Sequence, residues 1–299
     1  MRADSRCAVF AEFMQYLFSG LTAGSTYALV ALGFTIIYNA SHIINFAQGE
    51  FLMIGGLGSV MLMQYGLPMP LAIVCAIGLA VLAAILIEKL AIERAATNDI
   101  VPLIIITIGA SLFLRGGAQF FWGKSIHALP AFTGNTPINI GGATILPQSL
   151  WVLAIGAVVV CALAWFFKRT LTGKAMLAVS HNPNAARLVG INPRFILMLS
   201  FALAGALGAV AGAVAAPITL TAYDIGVMLG LKGFVAAVLG GLGSPLGAVV
   251  GGLLLGIMEA FTAGYISSEY KDAVPFVIVL LVLFLLPSGL FGSRATERV

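Results

Sequence analysis

The sequence predicts an all-α polytopic transmembrane helical bundle of about eight spans, with room for a half-helix or re-entrant segment among them. Three observations predict it. Of the 299 residues, 61% are hydrophobic and only 9% are charged, whereas soluble domains carry about 25% charged residues to keep their surfaces in water. The apolar residues come in stretches of roughly the 20 needed to cross a hydrocarbon layer about 30 Å thick. The 35 glycines suit membrane helices, whose backbones approach closely where no Cβ intervenes.

In chain order the apolar segments run over residues 11–38, 43–63, 70–92, 100–121, 150–167, 195–219, 227–243, 246–266 and 273–291. Nine is an upper count. The segment at 227–243, reading LKGFVAAVLGGLGS from Leu231, is short and glycine-rich, so it is the one expected to be a half-helix or re-entrant, provided protein covers its backbone. Residues 1–299 read as one membrane domain with a long basic loop at 168–194. Arg2 and Arg6 precede the first apolar stretch, but Glu12, Gln15, Gly20 and Gly24 interrupt it, and a removed signal peptide is not expected. Cys7, Cys75 and Cys161 lie far apart without metal spacing and are expected to be small core residues.

Charge placement sets the topology. The loop at 168–194 carries Lys168, Arg169, Lys174, Arg187 and Arg194 with no acidic residue, which places it in the cytoplasm. The link at 122–149, one span away, has Lys124 as its only charge together with Gly, Pro, Asn and Thr, and falls outside. Alternation then puts Lys89 and Arg94 inside, as it does the C-terminal Arg294 and Arg298. With nine full spans the N-terminus is outside, and one re-entrant segment would reverse that. Because the basic residues sit at span ends and not in a stripe, the net charge of +4 points to a lipid bilayer and not to nucleic acid.

Two stretches suggest an internal repeat. NFAQGEFLMIGGLGSV, from Asn45, and AYDIGVMLGLKGFVAAV, from Ala222, each follow an apolar span with a polar break, a glycine and then a helix-like run. Their preceding links fall on opposite sides of the membrane, as an inverted repeat demands. Chance similarity between two glycine-rich segments is the competing reading.

Enzyme chemistry has little support. Gly123-Lys124 and Gly173-Lys174 both lack the upstream glycine of a phosphate-binding loop, and three scattered histidines offer no metal cluster. Polar residues inside lipid invite functional hypotheses instead. The richest group is Asn39, Ser41, His42, Asn45, Gln48 and Glu50. Asn45, Gln48 and Glu50, with Asp224 further on, could line a solute path; a water-facing loop at the membrane surface is the alternative. Lys232 and Glu259 could neutralise each other within the bundle, a structural role preferred here over substrate contact. In the basic loop, NAARLVG from Asn184 has an Asn in N-cap position, helix formers, and Gly190 before Pro193, a short cytoplasmic helix suited to docking.

At this point the chain resembles the permease subunits of bacterial ABC importers for branched-chain amino acids, specifically the smaller of the two permeases. The resemblance rests on GLTAGSTYALVALGFTIIY from Gly20, INFAQGEFLMIG from Ile44, IERAA from Ile92, GKAMLAVSHNPNAARLVGIN from Gly173, LKGFVAAVLGGLGSPLGAVVGGLLLGIMEA from Leu231 and SSEYKDAVPFVIVLLVLFLLPSGLFG from Ser267. The wider permease family carries an EAA-type motif with a glycine further on, forming the helix that seats in the ATPase. The positions matching it here are Asn184, Ala185, Ala186 and Gly190, with Gly173 and Arg187 in the same block and Asn in place of the Glu; Ala186 is expected on the contact face. What the resemblance implies is a multi-pass bacterial inner-membrane subunit working with a second homologous permease, two ABC ATPases and a periplasmic binding protein. Leucine, isoleucine or valine would be the solute, and ATP would be used by the partners, with no cofactor on this chain. Permeases for urea and short-chain amides share the INFAQGE-type motif. A self-sufficient secondary carrier or channel is the rival from another class.

Overall fold

The computed structural model describes residues 2–95, 99–134, 136–140 and 142–292, and the backbone alone for residues 2–9 and 140. The side chains of Arg2, Arg6 and Cys7, and all of Arg294 and Arg298, lie outside the described residues. The helices are α1 (Arg2–Ser41), α2 (Gln48–Gln64), α3 (Met69–Ile87, continued by a π turn over Glu88–Ile92) and α4 (Ile100–Trp122). A small hairpin of β1 (Ile138–Ile140) and β2 (Ala143–Ile145) precedes α5 (Pro147–Arg169), α6 (Leu171–His181), α7 (Pro183–Leu188) and α8 (Pro193–Thr219). Then come α9 (Ile225–Gly240), α10 (Pro245–Tyr265), a 3-10 turn at Ser268–Tyr270 and α11 (Ala273–Leu285). Six of the described helices are long and apolar enough to cross a membrane alone, and α9 and α11 are shorter apolar helices.

Local chemistry sets many helix starts. A proline stands in the first two positions of α3, α5, α7, α8 and α10, where its missing N–H would have had no intrahelical partner. Thr170, Asn182, Asn192 and Ser244 accept backbone N–H bonds at the starts of α6, α7, α8 and α10.

Packing separates a central helix from peripheral ones. In the most apolar window of α1, 89% of residues are buried, against 11% in α5, so α1 is wrapped by protein while α5 faces lipid. Cys161, on α5, is accordingly exposed and Cys75 is half-buried, so neither is the core residue expected from its apolar surroundings.

The two halves of the bundle exchange helices. α2 packs on α8, and α9 packs on α1; likewise α3 packs on α8 and α10 on α1. Each long helix ends in a residue with positive φ that is not glycine, His42 after α1 (56°) and Leu220 after α8 (60°), and among the described residues there are no others. After each break a short helix begins, and their first turns meet: a Cβ on Gly49 would collide with the Gly226 carbonyl, and one on Gly226 with that of Gly49. Equivalent breaks, equivalent starts and a contact between equivalent glycines are what an inverted repeat produces around a pseudo-two-fold axis.

The contacts also resolve the short span. Thr221, just before α9, exchanges backbone hydrogen bonds of 2.8 Å with His127 in the long link. At the other end of α9, Asn39 on α1 donates to the Gly243 carbonyl at 2.9 Å. The segment 221–243 therefore crosses from the side of the 122–149 link to the opposite side without turning back, but its helical part, α9, begins inside the bundle where Gly226 meets Gly49, as the half-helix expectation had it. Gln15, near the start of α1, accepts from Thr144 N–H in the hairpin at 2.7 Å. With the 168–194 loop cytoplasmic by its charge, the early part of α1 lies outside and its end at Ser41 inside. Arg194 and Glu93, 3.5 Å apart, join the ends of α8 and α3 on the cytoplasmic side.

Two outcomes follow. With the natural cysteines replaced, a single cysteine at Lys124 should react with an impermeant thiol reagent added outside spheroplasts and one at Lys174 should not; labelling at 174 alone would invert the topology. Gly226→Val should separate the first turns of α2 and α9 and lower thermal stability in detergent by about 3 kcal/mol, the scale of overpacking a close contact, whereas Gly116→Val on α4, where a Cβ meets nothing within 4 Å, should change it little.

Candidate functional site

The chain between α1 and α2 is the first polar element inside the bundle. The apolar span read from the sequence begins at 43, yet the helix α2 starts at Gln48, leaving the polar break before it unwound. Asn45 explains the delay: its side-chain oxygen accepts the Ala47 N–H at 3.1 Å, holding a turn in which the backbone satisfies itself away from water. Phe46 N–H is bonded to Thr107 Oγ1 on α4 at 3.2 Å. Gln48 donates to the Ala204 carbonyl of α8 at 2.9 Å. Asn45 and Gln48 are 0% exposed while His42 is exposed, so this part of the group lies within the bundle; Gln48 fastens α2 to α8, and Asn45 Nδ2 and Gln48 Oε1 are left without a hydrogen-bond partner.

Glu50 differs. It is 1% exposed, Oε1 accepts from Ser111 Oγ at 2.9 Å, and Arg115 Nε lies 3.7 Å from the same oxygen. Glu50 Oε2 and Arg115 Nε have no hydrogen-bond partner. Ser111 is the twelfth of the 23 residues of α4, which sets the cluster near the middle of a full span. A cavity of about 140 Å³ opens beside it between α4 and α9. A charged side chain at the centre of a bilayer costs about 3 kcal/mol or more if lipid surrounds it. The side chain of Arg115 is 27% exposed, so the α4–α9 face at this depth is unsuited to hydrocarbon.

Asp224 does not join this cluster by contact. It is exposed at the start of α9 without capping the helix by its side chain, and with Lys124 and Tyr223 it lines an outer vestibule of about 430 Å³. The vestibule ends at Ile225 and the inner cavity begins at Gly226, so the two adjoin along the first turn of α9.

Lys232 on α9 lies 2.7 Å from Glu259 Oε1 on α10. It also has partners the sequence did not reveal: Asp272 before α11 at 2.7 Å, and the Tyr27 hydroxyl at 3.3 Å, which itself donates to Glu259 Oε2 at 2.7 Å. This network ties α1, α9, α10 and the start of α11 together, the ammonium donating to Glu259 and Tyr27 and ion-paired with Asp272.

The cytoplasmic segment folds as two short helices. Thr170 caps α6 by accepting Gly173 N–H at 3.0 Å, and a Cβ on Gly173 would collide with the Phe166 carbonyl, so glycine permits the tight turn from α5. The N-cap of α7 is Asn182 and not Asn184: Asn182 Oδ1 accepts the N–H groups of Asn184 and Ala185 at 3.0 Å. Gly190 has φ of +84° just past the helix, the left-handed position glycine adopts most readily. Ala186 is buried at 3% and faces the bundle, against the expectation of an outward contact. Arg187 is exposed, and the outward apolar residues are Leu188 (89% exposed) and Val189 (75%).

Several of these partners were missed in the sequence. Arg115 stands alone as a cation within the apolar run of α4, a signal that intramembrane charge supplies on its own. Glu88, buried at 1% with no hydrogen-bond partner on either carboxylate oxygen, is likewise a charge inside an apolar run. Ser111, Tyr27 and Asp272 carried no such mark.

Fold and polar core together define an integral membrane protein of the permease type. Residues 16–283 match the family described as branched-chain amino acid transport system / permease component. The chain is 36% identical to the high-affinity branched-chain amino acid transport system permease protein LivH of Escherichia coli (strain K12), over 97% of this chain and 99% of that one. It is also 36% identical to the corresponding protein BraD of Pseudomonas aeruginosa, over 96% and 98%. The galactofuranose transporter permease protein YtfT of E. coli is 30% identical, over 88% of this chain and 77% of its own length. The chain belongs to the branched-chain amino acid transport permease family.

Replacing Lys232 by Met should leave Glu259 and Asp272 without their cation and destabilise the bundle by roughly 3 kcal/mol, the scale for removing one partner of a buried pair. Adding Glu259→Gln and Asp272→Asn to that variant should recover much of the loss. Thermal unfolding in detergent reads both; equal stability of Lys232→Met and the parent would mean that the network contributes nothing.

Proposed function

We propose that this chain is the membrane-spanning permease subunit of an ATP-driven ABC importer for branched-chain amino acids. The solute, leucine, isoleucine or valine, is delivered by a periplasmic binding protein. The chain sits in the bacterial inner membrane beside a second homologous permease, with two ABC ATPases on the cytoplasmic side that use the ATP. The observation carrying this reading is identity of 36% along almost the whole length to proteins named for that transport. The galactofuranose relative makes the solute the finer part of the proposal and the transport class the firmer part.

Energy reaches the permease through the cytoplasmic helices. Gly173 turns α6 under α5; Asn184, Ala185, Ala186, Arg187 and Gly190 build and end α7, and Ala186 seats that helix on the bundle. Leu188 and Val189 then face outward as apolar contacts for an ATPase groove, with Arg187 beside them. Within the membrane, Asn45 and Gln48 shape the break between α1 and α2, Glu50 borders the solute path, and Asp224 stands at its outer mouth.

The test is reconstitution. Proteoliposomes holding both permeases and the ATPases should accumulate leucine only when ATP is enclosed with inward-facing ATPases and the binding protein is supplied outside. Uptake by this chain alone without ATP would overturn the importer in favour of a self-sufficient carrier. Leu188→Asp should insert normally yet lose stimulated ATP hydrolysis on the order of tenfold, since a charge buried at an interface without a partner is strongly unfavourable. Undiminished stimulation would remove α7 from the ATPase contact.

A further inference from the structure

We infer that the cavity between α4 and α9 is an intramembrane site for a zwitterionic amino acid, with Glu50 taking the ammonium, Arg115 the carboxylate, and the apolar wall the side chain. The inference rests on the transport function proposed above and adds the recognising groups.

The cavity is polar at one point and apolar elsewhere. Glu50 is buried, and its Oε2 has no hydrogen-bond partner. A carboxylate oxygen left in this state is unfavourable unless a donor arrives. Arg115 presents an open guanidinium next to it, with Nε also unpartnered. The two charges stand 3.7 Å apart, longer than a charge-assisted hydrogen bond, so neither fully satisfies the other. A group bearing both an ammonium and a carboxylate would complete both. The first turns of α2 and α9 border the same space through Glu50, Gly226 and Val227.

The remaining wall accounts for the rest of the molecule. Ile108, Val227 and Leu231 line it together with Phe34, Phe46 and Phe234. The Phe234 ring is 5.6 Å from Phe34 and 5.7 Å from Phe46. Phe34 on α1, Phe46 in the break before α2 and Phe234 in the middle of α9 form an aromatic floor on the side of the cavity away from the outer vestibule. A branched alkyl group meets only carbon on this wall. The hydrocarbon of lipid cannot complete the site, because Arg115 would face it; the companion permease closes the open side, over Met228 (49% exposed) and Leu112 (59%).

The test uses the full complex of both permeases and ATPases in nanodiscs, without the binding protein. Cys7, Cys75 and Cys161 are changed to Ala, and Val227→Cys reports on the cavity through its rate of modification by a small thiosulfonate. Leucine at about ten times its dissociation constant should slow modification roughly tenfold, as occupancy by mass action requires. Leucinamide, which keeps only the ammonium, and 4-methylpentanoate, which keeps only the carboxylate, should each protect at least about tenfold more weakly, having lost one charge-assisted bond. Arg115→Gln and the isosteric Glu50→Gln, each with an unchanged modification rate in the absence of ligand, should lose protection by leucine. No protection by leucine in a complex that still carries leucine with ATP and binding protein would overturn the site while leaving the transport function standing. Full protection in both charge variants would overturn it equally. Absence of ATP-dependent uptake by the parent complex would strike the transport function itself.

Discussion

The close approach of Gly49 and Gly226 is the constraint on which the rest of the bundle depends. Each glycine begins a short helix in the protein interior, and neither position has space for even a methyl group. Because the two first turns touch, the long helices before them, α1 and α8, must stop short and let the chain re-enter. That requirement accounts for His42 and Leu220, whose positive φ values are unfavourable for residues with a Cβ and are maintained by the surrounding packing. It also accounts for the exchange of α2 and α9 between halves, since a helix starting on the pseudo-axis packs against the long helix of the opposite repeat. The break containing Asn45 and Gln48 and the cavity beside Glu50 are consequences of the same arrangement.

Two clusters of charge lie within this bundle and illustrate opposite solutions to one problem. Lys232 is surrounded by two carboxylates, each 2.7 Å from its ammonium, and a phenol, so its charge is balanced at contact distance. Glu50 and Arg115 are incompletely matched, with one free carboxylate oxygen and a half-buried guanidinium. Complete networks rigidify, whereas incomplete ones in low dielectric remain open to a ligand. The complete network joins α1, α9, α10 and α11, away from the α4–α9 face, which suits a structural brace. The incomplete one lies where an outer vestibule meets an inner cavity.

Much of the fold was legible because lipid imposes a length on apolar segments: α4, α8 and α10 begin and end within a few residues of the stretches read from hydropathy. The start of α2 was not, since Ile43, Ile44, Phe46 and Ala47 are apolar although non-helical, and the break is set by Asn45 bonding its own backbone and by Thr107 on a distant helix. The repeat was visible only as a faint likeness, because what the two halves share is backbone geometry around glycines and not side chains. Gly190 was legible from its place before Pro193, while the cap was assigned to Asn184 in place of Asn182; Pro183, fixed in the conformation of a first helical residue, was the discriminating signal. Arg115 could have been found as a lone cation in an apolar run. Its pairing with Glu50 could not, for it joins residues 65 positions apart.

Under the proposed function, the same packing supplies a route from the cytoplasmic helices to the break. Met176 and Val179 of α6, Ala186 of α7 and Ile196 of α8 belong to the core cluster that contains Ile36 of α1. The end of α1 is held in turn by Asn39 to the turn between α9 and α10. A displacement of α7 by an ATPase would therefore act on the last turns of α1, next to the residues that lead into Asn45, Gln48 and Glu50. Cores at crystal-like density transmit such displacements because they have little free volume to absorb them. The phenylalanine floor is built from the elements so moved: Phe34 lies on α1, Phe46 in the break and Phe234 on α9. A tilt of the last turns of α1 relative to α9 would separate Phe34 and Phe46 from Phe234 and open the cavity toward the cytoplasm, while Lys232, held by Tyr27, Glu259 and Asp272, keeps α1, α9 and α10 together as the pivot.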